Sequence, residues 1–228
     1  MARYIERTVQ RIAQDFLENR YRPRARKRRI FSDIEVRTKP DFGGNRADGL
    51  LAFRHWLWNR PYVVSMEAKS FKTLPAMQPK INMALFLWNC VRAGVIILIL
   101  TGGGLIYLNG MDQLQLSFPL GIVMAGSISY GLLTRNSFSH REVDVIRQVK
   151  QYPANEYWLS FSDDSLESLS HEEHNQLMRI CKTQGIGIRE VQAGGNVKIL
   201  TRPRKNWRLY GDYVRYYSLE KEIRSVIV

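Results

Sequence analysis

Three side chains with the chemistry for metal-assisted hydrolysis lie in the first third of this 228-residue chain: Asp48, Glu67 and Lys69. Side chains alternate across a β-strand, so Glu67 and Lys69 would share one face. Mg²⁺, or Mn²⁺, prefers oxygen ligands and is commonly held by one or two carboxylates, waters and substrate phosphates. A neighbouring ammonium group could orient an activated water and stabilise charge on the phosphate. These residue types predict metal-dependent phosphodiester cleavage.

A shared metal ion requires the Asp48 and Glu67 carboxylates to lie close together, and the surrounding sequence predicts an arrangement that brings them there. Residues 47–53 and 61–67 are short runs rich in apolar and β-branched residues, which is typical of strands. The residues between them predict an antiparallel hairpin with its turn near Leu57. In that register Asp48 lies opposite Glu67, and we expect their carboxyl groups within about 6 Å of each other.

At these residues the chain resembles the PD-(D/E)XK nuclease superfamily, in particular its restriction-endonuclease-like branch of Mrr and NERD type. The similar segments are Gly43 to Leu51, which includes Asp48, and Val63 to Lys69. The resemblance implies a metal-binding Asp48 and Glu67 and a catalytic Lys69. It covers residues 1–92 and 153–195.

The same resemblance raises the question of further acidic ligands. The family often adds a carboxylate from its first helix, for which Glu6 is the candidate and Glu18 a weaker one. Asp41 follows a proline and could be mistaken for the family's aspartate, but Asp48 is preferred because it begins an apolar strand. The alternative interpretation is an ordinary α/β domain in which Glu67 and Lys69 form a solvated pair at the sheet edge.

The order of elements predicts an α/β fold, and the resemblance implies that this is a restriction-endonuclease-like mixed sheet flanked by helices. The apolar segments predict a two-helix transmembrane hairpin inserted in it. Apolar spacing and capping signals predict the elements. The expected helices are Arg3–Asn19, Pro79–Val91 and Ser170–Thr183, and the expected strands besides the hairpin are Arg29–Val36, Glu156–Phe161 and Gly185–Val191. The domain prediction divides the chain into residues 1–92 and 135–200 as two parts of the nuclease-like domain, 93–134 as the hairpin, and 201–228 as a basic aromatic tail.

Two apolar segments, 93–108 and 114–134, contain no charged residue, and the loop that connects them contains one, Asp112. A membrane-spanning helix needs about 20 apolar residues, so the second segment is long enough and the first is sufficient if it extends upstream towards Leu85. The alternative is a soluble hairpin buried in a protein core. Lys and Arg flank the pair on both sides and are absent from the connecting loop, which predicts cytoplasmic termini and an inner-membrane location.

The net charge of +13 favours polyanionic partners. The densest cationic run is Arg22, Arg24, Arg26, Lys27, Arg28 and Arg29, which could bind either nucleic-acid phosphates or anionic headgroups. Downstream, Lys205 and Arg208 lie among Trp and Tyr residues that could stack on single-stranded bases or form an interfacial belt.

Together these features predict a membrane-anchored, Mg²⁺-dependent endonuclease acting on DNA at the cytoplasmic face, in defence against phage or plasmid DNA. The alternative function is a catalytically silent, nuclease-derived scaffold that tethers nucleic acid or a partner protein to the membrane. Either version is compatible with a homo-oligomer or with assembly into a complex of membrane subunits.

Overall fold

A mixed sheet of six strands forms the centre of the larger part of this α/β protein. The computed structural model describes residues 5–70, 75–109, 117–135, 137, 140–206 and 211–228. The chain divides into two units, one formed by Met1–Pro79 with Val143–Val228 and the other by Lys80–Glu142. The inserted unit is therefore wider than the hairpin predicted for residues 93–134.

The strands of the sheet are β1 Ala25–Arg37, β2 Arg46–His55, β3 Pro61–Lys69, β6 Glu156–Ser162, β7 Gly187–Val191 and β8 Val197–Thr201. They are adjacent in the order β1-β2-β3-β6-β7-β8. The β2–β3 pair is antiparallel with Gly49 opposite Met66, which is the register expected from the sequence. β3, β6 and β7 run parallel, and the outer strands β1 and β8 are antiparallel to their neighbours.

Helices cover both faces of this sheet. On one face α1, Glu6–Tyr21, buries an apolar stripe that includes Val9, Ala13 and Leu17. This confirms a helix where one was expected, although Ile5 is exposed because the helix begins after it. The other face carries α4 (Asp144–Lys150), α6 (His171–Gln184) and α7 (Glu220–Ile227), with a short α5 (Asp163–Glu167) after β6. Strand alternation directs Leu50, Ala52 and Val63 towards this second layer.

The expected helix after Ser170 and its capping box are both present. Ser170 accepts a hydrogen bond from the Glu173 backbone, and the Glu173 side chain accepts one from the Ser170 backbone. Such reciprocal capping satisfies two backbone donors that an uncapped helix leaves free. Gly185, in the left-handed conformation, ends the helix.

In the inserted unit the two long helices are α2, Met83–Asn109, and α3, Ser117–Thr134. The helix expected at Pro79–Val91 begins at Met83 and continues without a break as α2, while the residues before it form a short strand β4 (Lys80–Ile81). β4 pairs with β5 (Arg141–Glu142), and the Asn82 side chain donates to the Glu142 carboxylate at 2.7 Å. The base of the insertion is thus closed by a two-stranded clasp.

Close approach of α2 and α3 depends on small residues. A Cβ atom on Gly94 would lie 2.5 Å from the Ser127 hydroxyl, and one on Gly126 would lie 2.4 Å from Ile97. Among the described residues one helical segment, Met83–Gly103, is long and apolar enough to cross a bilayer, and little of it is buried. Gly121–Thr134 is apolar but shorter, and the connecting loop with Asp112 lies outside the described residues.

The C-terminal residues are part of the core and do not form a separate tail. A 3₁₀ turn at Tyr213–Tyr216 and helix α7 pack against the sheet, with Tyr213 and Tyr217 buried. These two tyrosines are therefore unavailable for either base stacking or an interfacial belt. Thr38 and Tyr217 form a bridge that ties this segment to β1.

Candidate active site

The structure brings Asp48, Glu67 and Lys69 together at one end of the β2–β3 pair. Asp48 accepts a hydrogen bond from the Ala68 backbone N–H through Oδ2 at 2.9 Å. Lys69 Nζ donates to Glu67 Oε1 at 2.7 Å. The Asp48 carboxylate lies close enough to Glu67 to interact with it electrostatically. Strand alternation puts all three side chains on the face covered by α4, α6 and α7.

Burial sets the electrostatics of this cluster. Glu67 is wholly buried, and Asp48 and Lys69 are only 7 % and 6 % exposed, so none belongs to a solvated edge pair. Burial, followed by the neighbouring Asp48 carboxylate, raises the pKa of Glu67 to about 8 despite the opposing effect of Lys69. Burial lowers the pKa of Lys69, but Glu67, Asp48 and Glu6 raise it by more, so its pKa lies above its ordinary value. Glu67 and Lys69 therefore both hold their protons to a higher pH than the same groups do in water.

One oxygen of this cluster is without a donor. Glu67 Oε2 is buried and accepts no hydrogen bond from the described residues, although it belongs to the carboxyl group that faces Asp48. A buried carboxylate oxygen that lacks a donor is costly, and two carboxylates in contact require a proton or a cation between them. The donor set therefore fits a divalent ion held by Asp48 and Glu67, with water and substrate phosphate supplying the other ligands.

A complete protein cage for such an ion is absent from the described part of the chain: no group of three or more His, Cys, Asp or Glu side chains is arranged to hold a metal there. Glu6, at the start of α1, lies near enough for its carboxyl group to interact electrostatically with Lys69 and Asp48. Burial raises the pKa of Glu6, while Lys69 lowers it. Glu6 is thus near the cluster without being a third close ligand.

The structure excludes two other carboxylates from this site. Glu18 forms an ion pair with Arg22 on the surface. Asp41 is exposed in the 3₁₀ turn Pro40–Phe42, whereas Asp48 is buried, which supports the preference for Asp48.

Two side chains that border the cluster, Gln148 and Tyr152, were not predicted from the sequence. The Tyr152 hydroxyl donates to the Arg46 carbonyl oxygen at 2.7 Å, and the Gln148 side chain lies close to the same hydroxyl. Burial, and then the nearby Glu67 carboxylate, raises the pKa of Tyr152. Gln148 and Tyr152 are four residues apart at α4 and its end, a spacing that places both on one side of a helix. That spacing was the only available signal, and seven residues of helix are too few to show a period.

The basic run after α1 is distributed over a turn and a distorted strand. Arg22 pairs with Glu18, and Arg24 Nη1 lies 3.9 Å from the buried Glu156. The remaining four cations are exposed within β1, outside the active-site cluster: Arg26, Lys27, Arg28 and Arg29. Lys205 is also exposed, with its ammonium group 5.1 Å from the centre of the Trp58 ring. Arg208 lies outside the described residues.

Comparison of the chain with known protein families, with curated proteins and with solved structures finds no match. The geometry of the sheet and of the buried cluster is therefore what defines the fold and the site.

Proposed function

We propose that this protein is a membrane-anchored, metal-dependent nuclease that hydrolyses phosphodiester bonds, with DNA as the favoured substrate. The observation that carries the proposal is the buried cluster of Asp48, Glu67 and Lys69, in which a carboxylate oxygen lacks a donor and faces a second carboxylate. Buried ionisable groups with perturbed pKa values are concentrated at functional sites.

Each residue has a distinct part in this proposal. Asp48 and Glu67 would hold Mg²⁺ or Mn²⁺, with Glu6 close enough to add negative charge. The bound metal would supply a water of lowered pKa and neutralise charge on the phosphate. The Lys69 ammonium group, fixed at 2.7 Å from Glu67, is positioned beside the same site to stabilise the charge that develops on the phosphoryl oxygens. Tyr152 and the backbone at Arg46 support the strand that carries Asp48.

The membrane part of the proposal depends on the insertion. Met83–Gly103 has the length and composition of a spanning helix, and α3 packs closely against α2 through small residues. We propose that the pair crosses the inner membrane and leaves the sheet-containing unit in the cytoplasm, where it would meet incoming phage or plasmid DNA.

The decisive experiment is cleavage of plasmid DNA by the purified full chain in detergent, with and without Mg²⁺. Glu67→Ala and Lys69→Met should each lower the rate by orders of magnitude, because both remove groups that act at the reacting phosphate. The matched controls are Asp41→Asn and Lys198→Met, which remove the same kinds of charge from exposed positions.

The binding arm of this experiment separates the enzyme from a tether. Lys69→Met should leave DNA affinity nearly unchanged while abolishing cleavage, since the exposed cations of β1 are intact. If wild type and Lys69→Met are equally inactive in cleavage but bind DNA equally well, the alternative function as a nucleic-acid tether replaces the nuclease.

A further inference from the structure

The turn of the β2–β3 hairpin, at the opposite end from Asp48 and Glu67, presents an unusual exposed aromatic surface. We call Trp56, Leu57 and Trp58 the hairpin tip. Trp56 is 60 % exposed and Leu57 is 59 % exposed. Trp58 is held in place by stacking on His55, with 3.9 Å between ring centres and 26° between ring planes. The Lys205 ammonium group lies over the Trp58 ring, so the surface of the hairpin tip combines an aromatic ring with a cation.

Four consecutive cationic residues in a bulge of strand β1 lie beside this tip. β1 pairs with β2 at Ala25 opposite His55 and again at Ile30 opposite Phe53, so the residues between them bulge out of the ladder. We call residues 26–29, which are Arg26, Lys27, Arg28 and Arg29, the basic bulge. The backbone of Lys27 and Arg28 has φ values of 51° and 55°. Residues other than glycine rarely adopt this left-handed conformation. Strained backbone of this kind is concentrated at functional sites.

Hydrogen bonds join the basic bulge and the hairpin tip into one surface. The Trp56 backbone N–H donates to the Arg24 carbonyl oxygen at 3.0 Å. The Arg26 guanidinium donates to the Asn59 side chain directly after the tip. These contacts hold the cations beside the exposed aromatic rings.

The positive charge of this surface is not neutralised locally. The side chains of Lys27, Arg28 and Arg29 form no ion pair or hydrogen bond with any other described residue. The two carboxylates that pair with the preceding cations of this run are already engaged, Glu18 with Arg22 and Glu156 with the Tyr21 and Tyr62 hydroxyl groups. These exposed cations are therefore available to an anionic ligand.

We infer that the hairpin tip and the basic bulge together form a binding surface for single-stranded nucleic acid. The bulge would contact phosphates, and three of its four cations are arginines, whose planar groups match phosphate oxygens with two parallel hydrogen bonds. An unpaired base would stack on Trp56, an interaction that tolerates any base sequence. A duplex hides its base faces, so the surface distinguishes unpaired from paired strands.

A bilayer is the other anionic surface to weigh, and the tip fits it less well. Only two large apolar side chains, Trp56 and Leu57, are free to insert, against four exposed cations in the bulge. Trp58 is held against His55 and Lys205, so its ring is not available for insertion into lipid.

This surface would also define the substrate class of the active site, a consequence that rests on the proposed function. Asp48 and His55 are separated along β2 by about 24 Å at the rise of an extended strand. A nucleic acid gripped at the tip would therefore be cut some distance from the gripped bases. The preferred substrate would be DNA with an unpaired segment near the cleavage point.

The test measures binding of a fluorescent oligothymidine to the full chain in nanodiscs of zwitterionic lipid, by anisotropy, in EDTA so that no cleavage occurs. Trp56→Ala should weaken binding about tenfold, and Trp56→Phe should recover most of it. The matched control is Leu57→Ala, an equally exposed neighbour that cannot stack, and it should change affinity less than about twofold. Equal losses for Trp56→Ala and Leu57→Ala, or no loss for either, overturn the inference.

A second set of variants tests the bulge. Replacing Lys27, Arg28 and Arg29 by Gln should weaken binding and reduce the slope of log affinity against log salt by about 2, since each phosphate contact on a single strand contributes about 0.7. The matched control removes three exposed lysines from other elements: Lys182, Lys198 and Lys221. If the slope of log affinity against log salt falls equally in both triple variants, only the net charge of the protein matters. The basic bulge is then not a specific binding site.

A lipid arm decides between the two anionic partners. Leu57→Cys, in a Cys90→Ala background, is labelled with a dye that reports polarity and is placed in nanodiscs with or without anionic lipid. The dye should respond to oligothymidine and not to the lipid. A response to anionic lipid alone assigns the tip to the membrane and overturns the inference. Failure of the cleavage experiment with intact Trp56-dependent binding would reject the nuclease and leave this binding site in place.

Discussion

At the scale of single residues, burial beside Asp48 gives Glu67 a raised pKa. Its carboxyl group has a pKa of about 8 in the folded protein, against an ordinary value of 4.5. The folded state therefore holds a proton that the unfolded state releases between these two pKa values. This contribution to stability is complete below about pH 4.5 and is lost as the pH rises through 8. Across that interval the free energy of unfolding falls by about 1.4 kcal/mol for each pH unit.

Glu67→Gln should remove most of this pH dependence, because the amide has no proton to lose. Without divalent metal, the thermal unfolding midpoint of the wild type should fall between pH 5.5 and 8.5, and that of Glu67→Gln should fall much less. Mg²⁺ should raise the wild-type midpoint more at pH 8 than at pH 6, since metal binding displaces the proton. Parallel pH profiles for the two proteins would show that Glu67 ionises normally.

Tyr152 is a positioning residue in the same site, and Tyr152→Phe tests this. Loss of its bond to the Arg46 carbonyl should cost about 1 kcal/mol of stability. It should also raise the Mg²⁺ concentration needed for half-maximal cleavage, with little change in rate at saturating Mg²⁺. Tyr62→Phe is the control, since it removes a buried hydroxyl bond of 2.7 Å at the other end of β3. If both variants shift the Mg²⁺ requirement equally, Tyr152 has only a general structural role.

At the scale of elements, a buried arginine fixes helix α1 to the sheet. Arg189 on β7 is wholly buried and donates to the Ser160 hydroxyl at 2.7 Å and to the Ala13 carbonyl on α1 at 2.9 Å. Its third contact is with the sulfur of Met66, and its guanidinium lies 5.4 Å from the Trp158 ring. Burial lowers the pKa of Arg189 to about 9, so it is still charged at neutral pH.

Arg189→Ala should lower the free energy of unfolding by about 2–4 kcal/mol, because it leaves a cavity and two acceptors without donors. Arg189→Met fills the volume and removes a buried charge, and it should recover much of the loss. Denaturant titration followed by tryptophan fluorescence measures both. If Met is as damaging as Ala, the hydrogen bonds and not the packing hold α1 in place.

The sequence predicted those elements whose signals are local. The β2–β3 register followed from alternation and a short turn, and that register alone brings Asp48 to Glu67. Helix α4 was missed because its seven residues are too few to show a period, and Gln148 and Tyr152 were missed with it. The basic bulge and the buried Arg189 were also missed, since runs of cations normally favour solvent and nothing local indicates left-handed backbone at Lys27 and Arg28.

At the scale of the whole molecule, an α/β unit made of two separated stretches of chain carries an insertion that contains the apolar helices. The insertion follows β3, the strand that carries Glu67 and Lys69, and ends directly before α4. The clasp between β4 and β5 brings both ends of the insertion together, so its helices can be accommodated without changing the register of the sheet. This arrangement explains how an apolar helical insertion and a buried ionisable cluster can coexist in one short chain.

The proposed topology is tested by cysteine labelling of intact cells with a reagent that does not cross the inner membrane. In a Cys90→Ala background, Asp112→Cys between the apolar segments should be labelled from outside. Ser218→Cys, exposed on the α/β unit, should be labelled only after the cells are opened. The asymmetry follows from the Lys and Arg residues that flank the apolar segments and are absent between them. Labelling of both positions alike in intact cells would show that the insertion does not span the membrane.

Protection of Asp112→Cys even in opened cells would place the loop within protein or lipid.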